Sequence, residues 1–280
     1  MSRDENIEIF EDTKRLCKQN IKIKDSLSKS IKGQKIMLET EDIKELELKR
    51  FDDAAKIKVS KKRTFEAAAG YASEKVAVLN FASATNPGGG VVRGAGAQEE
   101  CLCRCSGLYF CLDRNEVWDE FYTPHRGAHF PAYNNDIVYT PDVLVFKYDT
   151  STPSLMPEKE WYNVNVITCA SPNVRALTDK IRSGEIRDRK IITPGRLQEM
   201  HEKRLRRILD VAVVNGNTAI ILGAFGCGAF GNSPETVARA AVNVLPDYLH
   251  AFKRIEYAVY CPPRDDTNYR VFDRVLKAVK

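Results

Sequence analysis

Two adjacent carboxylates, Glu99 and Glu100, directly follow a glycine-rich stretch that we call the first glycine loop, residues 80–98. The loop comes after the apolar run 76–79 and contains three consecutive glycines, Gly88–Gly90. Glycines let a backbone approach a bound molecule closely, and a helix that starts at the acids would offer free N–H groups to an anion. Two carboxylates at that place would repel the same anion. The combination indicates acid–base chemistry on a sugar that carries phosphate.

Neighbouring residues on a helix point about 100° apart. Glu99 and Glu100 are therefore poorly placed to flank one bond from two sides, as the usual pair of glycosidase carboxylates does. We expect a division of labour in which one carboxylate holds sugar hydroxyls and the other transfers protons. A like charge nearby would raise the pKa of the proton-transferring group, whereas the helix N-terminus would lower it. The alternative is that both acids only complement the helix dipole.

A second glycine loop, residues 223–231, follows the apolar run 218–222. Its four glycines in nine residues predict a turn whose consecutive N–H groups form a concave site for phosphate oxygens. The loop lacks the Gly-Lys-Ser/Thr ending of a P-loop, and a tight structural turn is the alternative. We expect Phe225 to fill the core beneath this loop and Phe230 to lie against a sugar or a base.

The elements that must position both loops alternate between strands and helices from residue 75 onward. Short apolar runs predict strands at 76–79, 162–168, 218–222 and 255–260. Each glycine loop directly follows one of these strands. This alternation is typical of a mixed sheet with helices on both faces, in which ligands bind beyond the carboxyl ends of the strands. Both glycine loops are therefore expected to face one pocket.

Local patterns also predict elements around the first glycine loop. Helical spacing of apolar residues predicts one helix over 99–112, and the prolines and glycine of 122–134 predict a loop. Two short strands are expected at 137–139 and 143–146, joined by a turn at Pro141 and Asp142. Residues 1–70 are expected to form a mainly helical extension packed on a core formed by residues 71–280, so that the chain is a single structural unit.

Composition excludes several classes of protein. A formal net charge of +5 over 280 residues is too small and too dispersed for a dedicated nucleic-acid site. No apolar run reaches the ~18 residues that span a membrane, and the N-terminus lacks an apolar signal core. Eight cysteines without a secretion signal favour reduced thiols in the cytoplasm, or in the nucleus of a eukaryote. We expect a monomer.

The cysteines near the acids raise the question of a metal. Cys101, Cys103 and Cys105 alternate, and Cys111, His125 and His129 lie nearby in the sequence. Their spacing differs from the paired Cys-x-x-Cys pattern of structural zinc, and a free cysteine is often a small buried residue. We expect packing thiols, no metal and no cofactor.

The residues now considered together resemble a known family. Gly88–Gly90, seven residues and then Gln98-Glu99-Glu100 resemble the signature of poly(ADP-ribose) glycohydrolases, which have a macrodomain-like core. GAFGCGAFGNSP from Gly223 resembles the diphosphate-binding loop of macrodomains, and ITCASPN at 167–173 resembles the microbial branch of the family. The resemblance implies an α/β fold, a three-layer α/β/α sandwich with a mixed sheet, preceded by the helical extension.

The resemblance also implies an activity, the hydrolysis of ribose–ribose O-glycosidic bonds in poly(ADP-ribose) to release ADP-ribose, including polymer carried by ADP-ribosylated proteins. Glu100 would protonate the departing ribose oxygen, leave an oxocarbenium-like sugar and deprotonate the attacking water, while Glu99 binds ribose hydroxyls. The first glycine loop would wrap the reacting ribose and the second would hold the diphosphate. The implied substrate-binding residues are Asn86, Gly88, Gly89, Gly90, Val91, Gln98, Gly226, Cys227, Gly228, Ala229 and Phe230.

No residue can be matched to the adenine by this resemblance. Asn268 and Tyr269, which follow the last strand, are the candidates, and the alternative for Tyr269 is packing of the closing helix. Two other functions stay open: an ADP-ribose-binding macrodomain reader without turnover, and a mono-ADP-ribosyl hydrolase. The paired acids argue against a reader, since a pure binder gains nothing from two carboxylates beside an anionic ligand.

Overall fold

The computed structural model describes residues 1–44 and 46–279. A mixed sheet lies at its centre, and its strands are β1 (Lys35–Met37), β2 (Lys56–Ser60), β3 (Val76–Phe81), β4 (Ile137–Val145), β5 (Tyr162–Cys169), β6 (Ala219–Leu222) and β7 (Arg254–Ala258). Their order across the sheet is β1-β4-β5-β3-β6-β7-β2. The strands from β5 to β2 in this order are mutually parallel, whereas β4 is antiparallel to both of its neighbours.

Helices cover both faces of the sheet. They are α1 (Arg3–Gln19), α2 (Ile21–Lys32), α3 (Thr64–Ala69), α4 (Gln98–Cys105), α5 (Leu108–Leu112), α6 (Asn115–Val117), α7 (Thr123–Ala128), α8 (Val174–Arg182), α9 (Pro194–Val214), α10 (Pro234–Val244) and α11 (Thr267–Leu276). A π-helical turn, Trp118–Tyr122, joins α6 to α7. The first helix begins with a capping box, in which Ser2 and Glu5 bond each other's backbone N–H groups.

The pleat of β3 shows how the layers form. Ala77 and Leu79 point into one apolar cluster with α9 and α10, whereas Val76 and Val78 point into a second cluster with α3 and α4. Successive side chains of a strand face opposite sides, so a strand that is apolar throughout is buried between two helical layers. The expected α/β sandwich with a mixed sheet is confirmed.

Residues 137–145 form one strand, so the expected pair of short strands with a turn at Pro141 was wrong. The register of β4 against β5 shifts between Thr140 and Val143, which marks a bulge. Proline has no N–H to give to a ladder and is tolerated at such a bulge. Asp142 takes a left-handed backbone with φ of 51°, and its N–H donates to the Asn165 side chain at 3.0 Å.

Two other local expectations were also wrong. The helix predicted over 99–112 is broken after Cys105, because Ser106 is extended and pairs with Val145 of the sheet. The segment 122–134, predicted as a loop, contains α7. A proline in the first turn of a helix is well tolerated because its missing N–H has no partner there, and Pro124 occupies such a position.

The first 70 residues contribute to the sheet as well as to the helical layer. β1 pairs with β4 at one edge, and β2 pairs with β7 at the opposite edge. The division of the chain at residue 70 stays a prediction. Within the described ranges, no helix is both long and apolar enough to cross a lipid bilayer.

Candidate active site

A cleft of about 360 Å³ opens beyond the carboxyl ends of β3, β6 and β7. Parallel strands direct these ends to the same side of the sheet, which is where an α/β protein binds its ligands. Both glycine loops contribute to its walls, as the sequence predicted. From the predicted site residues, the cleft is lined by Gly89, Gln98, Glu99, Glu100, Gly226, Gly228, Ala229, Phe230 and Asn268.

Glu99 is 2% exposed and is anchored to the end of β3. Its Oε1 accepts a hydrogen bond from Asn80 Nδ2 at 3.2 Å, and its Oε2 accepts one from the backbone N–H of Ser83 at 2.8 Å. Burial raises the pKa of Glu99 to about 8, and the nearby charge of Glu100 adds to this increase, although the two donors oppose it. This carboxyl group is held in one orientation and retains a proton near neutral pH.

Glu100 is 6% exposed and is anchored to the first glycine loop instead. Its Oε1 accepts a hydrogen bond from the backbone N–H of Gly90 at 2.8 Å. Its Oε2 is buried and has no hydrogen-bond partner among the residues that the structure describes. One oxygen therefore fixes the side chain, and the other is free to exchange a proton with a bound molecule.

Gly89 brings the two carboxylates together. A Cβ on this residue would stand 2.6 Å from Glu100 Oε1 and 2.9 Å from Glu99 Oε2, and the backbone has a left-handed φ of 60°. No side chain fits there, so only glycine can lie over both acids. As expected for neighbouring helical residues, the two carboxyl groups are bonded to different parts of the chain. Their oxygens nevertheless converge over Gly89.

Gln98 holds the acidic turn of α4 against the sheet. Its Nε2 donates to the carbonyl of Leu79 at 2.8 Å and to Thr64 Oγ1 at 3.0 Å, and its Oε1 accepts from the N–H of Phe81 at 2.9 Å. These bonds to β3 and α3 engage both ends of the side-chain amide. The geometry favours a positioning role for this predicted substrate-binding residue.

A cation on α7 holds the outer part of the first glycine loop. Arg126 donates from Nε to the carbonyl of Thr85 at 2.6 Å and from Nη2 to Asn86 Oδ1 at 2.7 Å. Its guanidinium group stacks on the Trp118 ring, 4.5 Å from the ring centroid. The backbone carbonyl of Asn86 then accepts from the N–H of Gly89 at 3.0 Å. Asn86 thus lies behind the cleft wall and supports Gly89.

The second glycine loop is fixed from below by Asn232. The Nδ2 of Asn232 donates to the carbonyls of Pro172 at 2.7 Å and of Gly226 at 3.1 Å, and its Oδ1 lies 2.9 Å from Nε2 of His201. Burial lowers the pKa of His201 to about 4, so the ring is neutral at pH 7 and donates its Nε2–H to Asn232. Gly226 has a φ of 76°, and a Cβ there would overlap the hydroxyl group of Ser171.

The upper part of this loop lines the cleft and carries free backbone donors. In the described part of the chain, the N–H groups of Gly228, Ala229 and Phe230 have no hydrogen-bond acceptor. Three successive free donors in a tight turn form an anion-binding concavity. Phe225 is buried beneath the loop, as expected, and its ring lies 5.6 Å from that of Phe81. Phe230 is half-buried and lines the cleft.

A third wall of the cleft was missed by the sequence reasoning. It is formed by Arg63, Thr64, Asp149 and Tyr260, and the Arg63 guanidinium stacks on the Tyr260 ring at 3.9 Å from its centroid. The position of Tyr260 just beyond the last parallel strand was a signal that the binding rule for such sheets supplies. No signal in the sequence indicated Asp149, which reaches the cleft from beyond β4.

Asp149 is a buried acid in this third wall. Its Oδ2 accepts from the N–H of Phe65 at 3.0 Å, and its Oδ1 has no partner among the described residues. Burial raises the pKa of Asp149 to about 6. The wall therefore combines a planar cation, an aromatic ring and a polar oxygen, which suits a flat heterocycle with hydrogen-bond donors.

Six predicted site residues lie outside the lining of the cleft. Gly90 contacts Glu100, Val91 is fully buried in the core, and Gly88 packs against Tyr109. Tyr269 lies under Lys61 Nζ, 4.8 Å from the ring centroid, so that of the two adenine candidates only Asn268 lines the cleft. The remaining two are Asn86 and Cys227. The roles assigned to all of these residues stay predictions.

The cysteines of α4 and α5 pack in the protein interior. Cys101, Cys103, Cys105 and Cys111 are buried free thiols, and burial raises the pKa of each one. In the ranges 1–44 and 46–279, no group of three or more histidine, cysteine, aspartate or glutamate side chains is placed to hold a metal ion.

Comparison with known proteins identifies the family. The model of the family "Microbial-type PARG, catalytic domain", where PARG stands for poly(ADP-ribose) glycohydrolase, matches residues 4–148. A comparison with curated proteins finds no match.

Solved structures match nearly the whole chain. Poly(ADP-ribose) glycohydrolase from Thermomonospora curvata is 29% identical, with a TM-score of 0.83, over 96% of this chain and 98% of its own. The Deinococcus radiodurans enzyme in complex with ADP-ribose is 32% identical, with a TM-score of 0.80, over 91% of this chain and 98% of its own. These matches confirm the resemblance found in the sequence. The chain belongs to the family of microbial-type poly(ADP-ribose) glycohydrolases.

Proposed function

We propose that this protein hydrolyses the ribose–ribose O-glycosidic bonds of poly(ADP-ribose) and releases ADP-ribose. The observation that carries the proposal is the environment of Glu100, whose Oε1 is fixed by Gly90 while its Oε2 has no partner in the described part of the chain. A general acid needs this arrangement, since it must be held rigidly and still have a free oxygen for the reacting group.

Glu100 acts twice in the reaction, first as an acid and then as a base. Glu100 donates a proton to the oxygen that joins the two riboses, and the glycosidic C–O bond breaks with its electron pair on that oxygen. The sugar that remains is oxocarbenium-like, as in other glycoside hydrolyses. Water then attacks the anomeric carbon and gives a proton back to Glu100. Cleavage of the terminal ribose–ribose bond gives ADP-ribose and a polymer that is one unit shorter.

Glu99 supports this chemistry in two ways. Both of its oxygens already accept N–H donors, so the carboxyl group is oriented to accept ribose hydroxyls with its remaining lone pairs. Its raised pKa means that the pair of carboxyl groups carries a proton near neutral pH. Because the oxygens of both residues flank the same point over Gly89, the Glu99 proton lies beside the carboxyl group of Glu100.

The rest of the cleft matches the other parts of ADP-ribose. The free N–H groups of Gly228, Ala229 and Phe230 suit the diphosphate, and the ring of Phe230 suits the ribose next to it. The third wall, with Arg63 and Tyr260, suits the adenine base. The acids meet the sugar and the glycine N–H groups meet the phosphates, so the carboxylates do not oppose anion binding.

The decisive experiment compares the wild type with Glu100→Gln on automodified polymer and measures released ADP-ribose by chromatography. We expect the variant to bind ADP-ribose by calorimetry and to lose most of its turnover, since an amide cannot supply the proton. The matched control is Glu120→Gln, which makes the same change at an exposed position. Turnover by Glu100→Gln at the wild-type rate would refute the assignment.

The same assay separates the alternative functions. A reader would bind ADP-ribose and leave the polymer intact, and a mono-ADP-ribosyl hydrolase would act on a singly modified protein but not on the polymer. The paired buried acids favour turnover. The monomeric state and the cytoplasmic location are also proposals, which size-exclusion chromatography and cell fractionation would test.

A further inference from the structure

Helix α1 packs directly behind the residues that hold the catalytic acids. Phe10 is fully buried, and its ring meets that of Tyr109 edge to face at 5.1 Å, while Tyr109 in turn packs against Gly88. Thr13 Oγ1 donates to the carbonyl of Arg104 in α4 at 2.6 Å. The buried Lys147 Nζ donates to the carbonyl of Ile9 at 3.0 Å. These contacts join α1 to the core, to the first glycine loop and to the helix that carries Glu100.

One side chain of α1 reaches the part of the first glycine loop that is otherwise exposed. Asn6 is 6% exposed, and its Nδ2 donates to the carbonyl of Gly94 at 3.0 Å. Gly94 has a left-handed φ of 74°, and a Cβ there would overlap the carbonyl of Arg3. The neighbours Val92 and Arg93 are exposed. The backbone of Gly94 is thus held against the first turn of α1.

Gly94 belongs to the same tight turn as the group that orients Glu100. The carbonyl of Gly90 accepts from the N–H groups of Arg93 at 2.9 Å and of Ala95 at 3.1 Å, and the N–H of Gly94 donates to Val91 at 3.1 Å. The N–H of Gly90 points the other way and donates to Glu100 Oε1. A turn closed in this manner moves as one body, so a displacement at Gly94 displaces the N–H of Gly90.

We infer that Asn6 is a positioning residue for Glu100, acting through Gly94 and Gly90. The inference rests on the proposed role of Glu100. Among the described residues, the Gly90 N–H is the only hydrogen-bond partner of the Glu100 carboxylate. The orientation of the acid therefore depends on one bond, whose donor is kept in place from α1.

The test measures kcat, KM and ADP-ribose affinity for Asn6→Ala. Loss of one buried hydrogen bond is expected to lower kcat by about tenfold, while KM and the dissociation constant of ADP-ribose change by less than about threefold. The matched control is Cys17→Ala, also on α1, which opens a cavity in a separate cluster with Ile23 and Phe146. It should lower Tm at least as much and leave kcat unchanged.

Two further variants separate positioning from general destabilisation. Asn6→Asp places a carboxylate oxygen against the Gly94 carbonyl, and the two oxygens repel each other. We expect a low kcat at neutral pH. At acid pH the carboxyl group is protonated and can donate a hydrogen bond again, so kcat should recover relative to the wild type. Thr13→Val is isosteric and removes only the hydroxyl that bonds Arg104, so a smaller loss of kcat is expected from it.

The outcomes distinguish this inference from the proposed function. If the wild type releases no ADP-ribose, the proposed function fails. If the wild type is active and the Asn6 variants keep kcat within about twofold of it, only the positioning role is refuted. Parallel losses of kcat and Tm in Cys17→Ala would refute it as well, because the effect of α1 would then be ordinary stability.

Discussion

Gly89→Ala tests whether catalysis needs the open space over Gly89, where oxygens of Glu99 and Glu100 converge. The new Cβ would stand 2.6 Å from Glu100 Oε1 and 2.9 Å from Glu99 Oε2, far closer than van der Waals contact allows. Glu100 has to move, and its 2.8 Å bond from the N–H of Gly90 is lost. The φ of 60° adds strain, because a left-handed backbone costs a residue with a Cβ about 1 kcal/mol.

The expected magnitude follows from the bond that is lost. A hydrogen bond to a charged group contributes about 2 kcal/mol, which corresponds to roughly 30-fold in rate if it orients the acid in the transition state. We therefore expect kcat for polymer hydrolysis to fall by at least ~30-fold. The free energy of unfolding should fall by about 1–3 kcal/mol, which leaves the protein folded. Chromatography of released ADP-ribose and urea unfolding measure the two quantities.

Gly88→Ala is the matched control for this substitution. Its φ is 61°, but its Cβ would meet Tyr109 Cδ2 at 2.8 Å and neither carboxylate. Both variants should therefore lose similar stability, and Gly88→Ala should retain at least about tenfold more turnover. Equal turnover in the two variants would show that backbone strain, and not access to the acids, explains the loss. Wild-type kcat in Gly89→Ala would refute the reasoning altogether.

Three more predictions concern the pH dependence and the two loops. Between pH 4.5 and about 8 the folded protein keeps the Glu99 proton, whereas the unfolded chain loses it. The free energy of unfolding should therefore fall as pH rises through this window, by at most about 1.4 kcal/mol per pH unit. Urea titrations should show this decline in the wild type and a flatter one in Glu99→Gln. Gly226→Ala should abolish ADP-ribose binding in calorimetry and lower Tm, because its Cβ overlaps Ser171; Gly228→Ala, with open space around its Cβ, should keep the wild-type Tm. Arg126→Ala should weaken ADP-ribose binding by about fivefold with little change in Tm, since it frees the outer part of the first glycine loop from a side chain that is itself exposed.

The sequence predicted the sheet and the position of the cleft because both follow from local patterns. Apolar runs directly before each glycine loop identified strands, and parallel strands place such loops on one side of a sheet. The two acids stood out because their charge conflicts with an anion-binding loop. These inferences need only neighbouring residues, and the structure agrees with them.

Features that depend on tertiary contacts could not be predicted from local sequence patterns. Nothing near Asp149 in the sequence indicates that it reaches the cleft, because its position depends on the way the chain turns after β4 toward α3. Pro141 suggested a turn, but pairing with β5 overrode that preference and left a bulge. The break after Cys105 likewise follows from the bridge between Ser106 and Val145, which no helical pattern within 99–112 could predict.

The pairing of β2 with β7 has a consequence for how the chain folds. Residues 56–60 are synthesised well before their partners, residues 254–258. The ladder between them closes a loop of about 200 of the 280 residues, and contacts this distant in sequence slow folding. Until β7 emerges, β2 remains without its partner, and its alternating Lys56 and Lys58 disfavour pairing with other chains. The pairing of β2 with β7 is therefore expected to be the last contact of the sheet to form.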